Sequence, residues 1–167
     1  MTLRPLFLIP LLLWLGICAL MLVWILTQRG DSHVLLDKKL PSFMVGETFS
    51  DKLERPAIIN FFASWCVPCR AEHRLLTELS NTELRRFRMY GIAWKDVPEK
   101  TESFLNMLGN PYDAVFPDGN GQAGQALHIT GVPETLVIDR EGIVRAHVAG
   151  PLAPDDLKTI RRILEAP

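Results

Sequence analysis

Charge is missing from one end of this chain and evenly mixed in the rest. No charged residue occurs from Pro5 to Leu26, and beyond that run acidic and basic residues interleave, leaving a net charge of −1 for the whole chain. There is no basic stripe, which excludes a nucleic-acid surface. Internal repeats are absent, as is any feature marking a second folded domain. Cysteine is sparse, with 3 in 167 residues. A structural zinc site needs about four ligands, but the part after the apolar run offers only Cys66, Cys69, His33, His73, His128 and His147, at no finger spacing. The Thr-x-x-Cys arrangement of a peroxidase is missing, because Ala63 stands where the threonine belongs. Nothing points to a resident metal or cofactor.

The apolar run itself is informative. At about 1.5 Å per helical residue, Pro5 to Leu26 is roughly 33 Å long, enough for a hydrocarbon core of about 30 Å. It is longer than the apolar core of a secretory signal, and it ends Leu26-Thr27-Gln28-Arg29 with no small-x-small cleavage site, so a retained anchor is expected. Cys18 follows Leu15-Gly16-Ile17 in a pattern like a lipoprotein cleavage box, except that Ile17 replaces the small residue. The expected organisation is an anchor over 1–27, a hydrophilic linker over 28–39 and a folded domain over 40–167. The charges flanking the run do not settle its orientation.

Within the domain, Pro56 to Ala63 is a short β-branched and aromatic run suited to a strand buried on both faces. An amphipathic helix follows from about Cys66 to Ser80, with Leu75, Leu76 and Leu79 on its apolar side. The pattern then predicts a strand over 88–94, a helix over 98–108 between Pro98 and Gly109, a short strand at 114–116 and a short helix over 121–127. A hairpin over 134–139 and 143–148 comes next. Pro154 opens a closing helix in which Leu157, Ile160, Ile163 and Leu164 share a face. Alternating strands and helices of this kind make a three-layer α/β domain.

Cys66 and Cys69 fall where the first strand hands over to the first helix of the domain. Backbone N–H groups and the helix dipole converge there, so a thiolate on Cys66 is stabilised and becomes a competent nucleophile near neutral pH. Three-residue spacing on a helix puts Cys69 on the same side, within reach to close a disulfide. Pro68 in the first turn sacrifices no helical hydrogen bond and fixes the turn between the sulfurs. A four-residue loop constrains the unfolded chain too little for a structural disulfide. Thiol–disulfide exchange is the chemistry expected, with Cys66 attacking and Cys69 resolving the mixed disulfide.

The stretch Phe61-Phe62-Ala63-Ser64-Trp65-Cys66-Val67-Pro68-Cys69-Arg70-Ala71-Glu72-His73 resembles the thioredoxin superfamily, and within it the cytochrome c maturation branch called CcmG or DsbE. Gly91-Ile92-Ala93-Trp94-Lys95-Asp96, Pro117-Asp118-Gly119-Asn120-Gly121 and Gly131-Val132-Pro133-Glu134-Thr135 match the same branch. The resemblance implies a thioredoxin-like fold, a central mixed sheet flanked by helices with a central insertion, behind one N-terminal transmembrane helix. It implies a thiol:disulfide oxidoreductase in the periplasm, held in a bacterial inner membrane. Such a domain reduces the haem-binding cysteines of apocytochrome c, or a maturation thiol protein, and is recharged by a membrane electron donor of the DsbD or CcdA type. It further implies that Pro133 is the family's cis-proline facing the disulfide, and that Trp65, Pro68, Val132, Pro133 and Trp94 meet substrate. Asn60 stands where thioredoxins carry a buried acid, so proton transfer falls to Glu72 or to Glu134, of which Glu134, next to Pro133, is the stronger candidate. Arg70 and His73 are candidates for electrostatic tuning of the pair. A general exported oxidant and a metal-delivery module on the same fold are the competing functions.

Overall fold

The computed structural model describes residues 8–27, 35–45, 48–49, 53–81 and 87–165. The chain divides into two compact units, Met1–Asp31 and Ser32–Pro167. The first contains helix α1 (Leu8–Thr27), built without a single charged residue. Its side chains are described for residue 10 and for 12–23. Among the fully described residues no helix is long and apolar enough to cross a membrane.

In the second unit a two-stranded hairpin, β1 (Met44–Val45) and β2 (Thr48–Phe49), precedes the main sheet. The chain then runs β3 (Ala57–Phe62), α2 (Val67–Ser80), β4 (Arg88–Trp94), α3 (Pro98–Leu108), β5 (Ala114–Asp118), α4 (Gln122–Ala126), β6 (Glu134–Ile138), β7 (Val144–Ala149) and α5 (Pro154–Glu165). The sheet order is β5-β4-β3-β6-β7. β3 pairs parallel with β4 and antiparallel with β6, β5 adds parallel to β4, and β7 adds antiparallel to β6. This is the central mixed sheet that the resemblance implied.

β3 lies at the centre, and all its residues are buried, which is why its sequence is a continuous apolar run and not an alternation. Strand periodicity still sorts its side chains. Ile58 and Phe62 enter one core with Leu76 and Leu79 of α2, Phe104 of α3 and Leu157, Ile160 and Leu164 of α5. Ile59 and Phe61 enter the other, with Ala123 of α4, Leu127, Leu35, Leu40 and Phe43. The two crossovers β3–α2–β4 and β4–α3–β5 step in one direction along the sheet, so crossovers of one hand place both helices on one face. On β6, Leu136 and Ile138 join the α4 face, whereas Val137 joins the α2 face.

Most of the predicted elements appear within a residue or two of their expected ends. β5 runs on to Asp118, because Ala93 and Trp94 of β4 continue to pair with Pro117 and Asp118. The β1–β2 hairpin was not expected, and two-residue strands are too short to leave a periodic signature. Of the expected linker, 28–34 lies outside the described residues. From Leu35 the chain is already packed on the domain, with Leu35 buried, Asp37 N–H bonded to the Val144 carbonyl and Lys39 bridged to Ile143.

Candidate active site

Cys66 caps α2 in extended backbone, with Val67 and Pro68 opening the helix behind it. Its amide donates to the Ala63 carbonyl at 3.1 Å, closing the turn that leaves β3. Cys66 and Cys69 are joined by a disulfide with their Cα atoms 5.3 Å apart. The Cys69 N–H points at Cys66 Sγ at 3.1 Å, a donor that would stabilise negative charge on that sulfur once the pair is reduced. Both cysteines are buried, but Trp65 and Val67 beside them are exposed at 55% and 76%. The sulfur that must be attacked therefore sits at the bottom of an apolar rim.

A second network holds the rim. Asp96, at the end of β4, accepts the Ser64 N–H at 2.6 Å and the Ser64 hydroxyl at 2.8 Å. It also accepts the Thr101 hydroxyl and the Val97 N–H, both at 2.9 Å. Burial pushes its carboxyl up, but these donors outweigh burial and hold it below the usual carboxylate range. Trp65 Nε1 donates to the Lys95 carbonyl at 3.2 Å. The two expected tuning groups are engaged locally. Arg70 donates to the Ser64 carbonyl and lies over the Phe104 ring, while His73 Nε2 contacts the Gly109 carbonyl at 2.8 Å.

Across from Cys66 runs the loop 130–133. The Val132–Pro133 peptide is cis, and the Val132 carbonyl lies 3.5 Å from Cys66 Sγ. Pro133 is itself tied down, its carbonyl accepting the Gly150 N–H at 2.9 Å. Of the residues expected to meet substrate, Trp65, Pro68, Val132 and Pro133 therefore gather around the cysteines. Trp94 packs into the α4-side core, with its Nε1 against Gly124 and the Lys95 ammonium 4.2 Å from its ring centre.

The two candidate carboxylates take different sides of the sheet. Glu72 is one turn beyond Cys69 on the buried face of α2. It accepts the Asn60 side-chain amide at 3.0 Å and the Leu152 N–H at 2.8 Å. Asn60 also donates to Thr135 Oγ1 and accepts the Tyr112 hydroxyl at 2.7 Å. Burial dominates these bonds, and the Glu72 carboxyl is raised from 4.5 to about 7. Burial and the nearby Glu72 raise the Tyr112 phenol well above its ordinary value, so it serves as a neutral donor. The Tyr112 ring fits because residue 91 is glycine; a Cβ there would lie 2.8 Å from Tyr112 Cδ2.

Glu134 is paired in register with Phe61, a residue of the α4-side core. Its Oε1 accepts the Thr130 N–H and hydroxyl, both at 2.8 Å, and the Gly131 N–H at 2.9 Å. Its Oε2 meets His147 Nε2 at 2.6 Å. Burial pushes this carboxyl up, but the bonds from His147, Thr130 and Gly131 overcome it and leave the group below its ordinary value. Sequence reasoning missed Asp96, Tyr112 and His147 as parts of this arrangement. Strand register brings His147 to Glu134, whereas Asp96 and Tyr112 lie just outside the strands and reach their partners through tertiary packing.

Neither cysteine lines the two cavities of about 480 and 420 Å³: Arg145 and Arg162 line one, and Asp96 and Thr101 of the rim network line the other. The cysteine pair instead opens on a surface edge, as suits a protein disulfide presented on an extended segment.

A cysteine pair capping a helix at the end of a central strand, faced by a cis-proline loop in a mixed sheet, defines a thioredoxin-fold thiol:disulfide oxidoreductase. The comparisons with known proteins agree. Residues 43–164 match the Redoxin family. The thiol:disulfide interchange protein DsbE of Escherichia coli K12 is 36% identical over 167 residues, covering 90% of this chain and 88% of that protein. The thiol:disulfide interchange protein HelX of Rhodobacter capsulatus is 39% identical over 98 residues, covering 59% and 54%. Among solved structures, a thioredoxin-family thiol:disulfide interchange protein from Chlorobium tepidum superposes with a TM-score of 0.62 at 28% identity, covering 75% of this chain and 94% of that one. The chain belongs to the Redoxin family, as a thiol:disulfide interchange protein of the DsbE type.

Proposed function

We propose that this protein is a membrane-anchored reductant that keeps the haem-binding cysteines of apocytochrome c, or of a maturation thiol protein, in the reduced state. The observation that carries this is the redox pair at the start of α2 with Glu72 buried one turn further along the same face. In the reduced protein the Cys66 thiolate attacks a substrate disulfide, forming a mixed disulfide and expelling one substrate thiolate. Cys69 then gives up its proton and attacks Cys66 Sγ, expelling the second substrate thiolate and restoring the Cys66–Cys69 disulfide. Two electrons pass to the substrate.

Glu72 takes the proton from Cys69. A base whose pKa is about 7 is matched to proton transfer near neutral pH, and it shares the α2 face with Cys69. Glu134 is the poorer base, since its oxygens are occupied by donors and its side chain belongs to the opposite face. The exposed Trp65 and Val67 and the backbone of Val132 and Pro133 form the docking edge for an extended substrate segment. A membrane donor of the DsbD or CcdA type recharges the pair. Membrane anchoring is supported by the absence of charge from Leu8 to Thr27, twenty helical residues being roughly 30 Å long. The domain faces the oxidising, non-cytoplasmic side, where disulfide substrates persist.

Equilibrating the full chain with glutathione or dithiothreitol buffers tests the direction of electron flow. A potential well below that of the glutathione couple is expected, and a strongly oxidising value would reassign the protein to disulfide formation. In cells, Cys66→Ala with Cys69→Ala is expected to abolish c-type haem attachment while bulk disulfide formation continues. Normal holocytochrome levels in that strain would overturn the cytochrome assignment.

A further inference from the structure

His147 lies on β7, away from the cysteines, and its register partner on β6 is Leu136. Two residues back along β6 on the same face is Glu134, and the imidazole reaches it diagonally at 2.6 Å, the separation at which long side chains meet across antiparallel strands. Both side chains are 2% exposed. Among the described residues His147 Nδ1 has no hydrogen-bond partner and is itself buried. The tautomer that fits carries its proton on Nε2, donated to Glu134, and leaves a bare lone pair at Nδ1, which is less costly to bury than an unpaired N–H.

The imidazole therefore makes one directed bond. Its acceptor, Glu134, spends the other oxygen on the backbone of Thr130 and Gly131, immediately before the residue whose carbonyl faces Cys66 Sγ. On the far side of that residue, the Gly150 N–H fixes the Pro133 carbonyl. Val132 is thus suspended between two pinned points, one of which is held by Glu134. No hydrogen bond within the described residues engages the Val132 N–H, leaving it free to pair with an incoming strand.

We propose that His147 is a positioning residue for polypeptide substrates: through Glu134 it fixes the 130–133 loop so that the Val132 backbone is preset to receive an extended segment beside Cys66. The proposal rests on the assignment of that loop as the docking edge. It separates two kinds of reactivity. A small thiol or disulfide needs only access to the sulfur, whereas a peptide also needs the edge, so loosening the edge harms the peptide alone.

The test uses the full chain in mild detergent and two disulfides of nitrothiobenzoate, one with free cysteine and one with a cysteine inside an extended peptide. Reduced wild-type protein is expected to react faster with the peptide. In His147→Leu that advantage is expected to fall about tenfold through KM, the scale of one lost hydrogen bond to a charged group, with the free-cysteine rate unchanged. His147→Gln, whose side-chain amide still donates toward Glu134, is expected to recover most of it. A folded His147→Leu protein that keeps the full peptide advantage would overturn the role of His147, as would equal slowing of both disulfides. If His147→Leu does not fold, His147→Asn, too short to reach Glu134 Oε2, supplies the same comparison. Absence of any peptide advantage in wild type would instead remove the docking edge itself, and the proposal with it.

Discussion

Glu72 and Glu134 are buried to the same 2% exposure on opposite faces of one sheet, yet their carboxyl groups are shifted in opposite directions. Glu72 accepts two hydrogen bonds, from Asn60 and Leu152. Glu134 accepts four, two from Thr130, one from Gly131 and one from His147. Burial penalises both charges, more heavily at Glu72, so a heavier penalty with fewer donors raises one carboxyl while more donors lower the other. The under-supplied carboxylate exchanges a proton near neutral pH, and the well-supplied one stays charged and acts as a clamp.

The largest expected effect comes from removing the clamp. Glu134→Leu strands the Thr130 and Gly131 amides and His147 Nε2, and is expected to cost about 4 kcal/mol. Glu72→Leu strands fewer donors and is expected to cost roughly half as much. Urea denaturation of the two variants measures the difference, and equal losses would collapse the contrast.

The next effect is on pH. Because the folded Glu72 carboxyl titrates at about 7 and the unfolded one at 4.5, the folded state holds a proton that the unfolded chain has released between those values. Stability of the oxidised protein from this group is therefore fullest below about pH 4.5 and falls as pH rises to about 7, on the order of 3 kcal/mol in all. Glu134 has the opposite sign: its contribution is present above 4.5 and is lost as pH falls through its lowered folded value. Denaturation midpoints at pH 4.5 and pH 8 should converge in Glu72→Gln. A slope unchanged from wild type would assign it to another group.

The smallest effect is expected from Tyr112→Phe, which removes the hydroxyl bonded to Asn60 Oδ1 at 2.7 Å and should cost about 1 kcal/mol. With Asn60 less firmly held, its bond to Glu72 weakens and the Glu72 carboxyl should rise further while that of Glu134 stays put. Carbon-13 NMR titration of both carboxyls reads this directly, and parallel movement of the two would show that the faces are coupled.

Proline and glycine made the elements legible in the sequence: Pro98, Gly109 and Pro154 mark helix ends where the structure has them. The cysteine pair was legible for a similar reason, since its chemistry depends on local spacing. The surroundings of the two glutamates were not. Glu134 follows Pro133 and so looks like the nearer acid, but a strand turns each side chain away from its neighbour's side. Thr135 therefore faces Asn60 and Glu72, and Glu134 faces His147. Asn60, noted only for lacking an acid, proves to be the amide linking Tyr112, Thr135 and Glu72. These relations lie in the pairing register, which no local pattern encodes.

The short turn that follows β7 spans both halves of the contrast. The Gly150 amide holds the Pro133 carbonyl, and two residues later the Leu152 amide holds Glu72. The cis-proline loop and the buried acid of α2 are therefore both bonded to one short piece of backbone. A displacement of Pro133 that carried Gly150 with it would lengthen the Leu152 bond to Glu72, and a carboxylate losing a donor binds its proton more tightly.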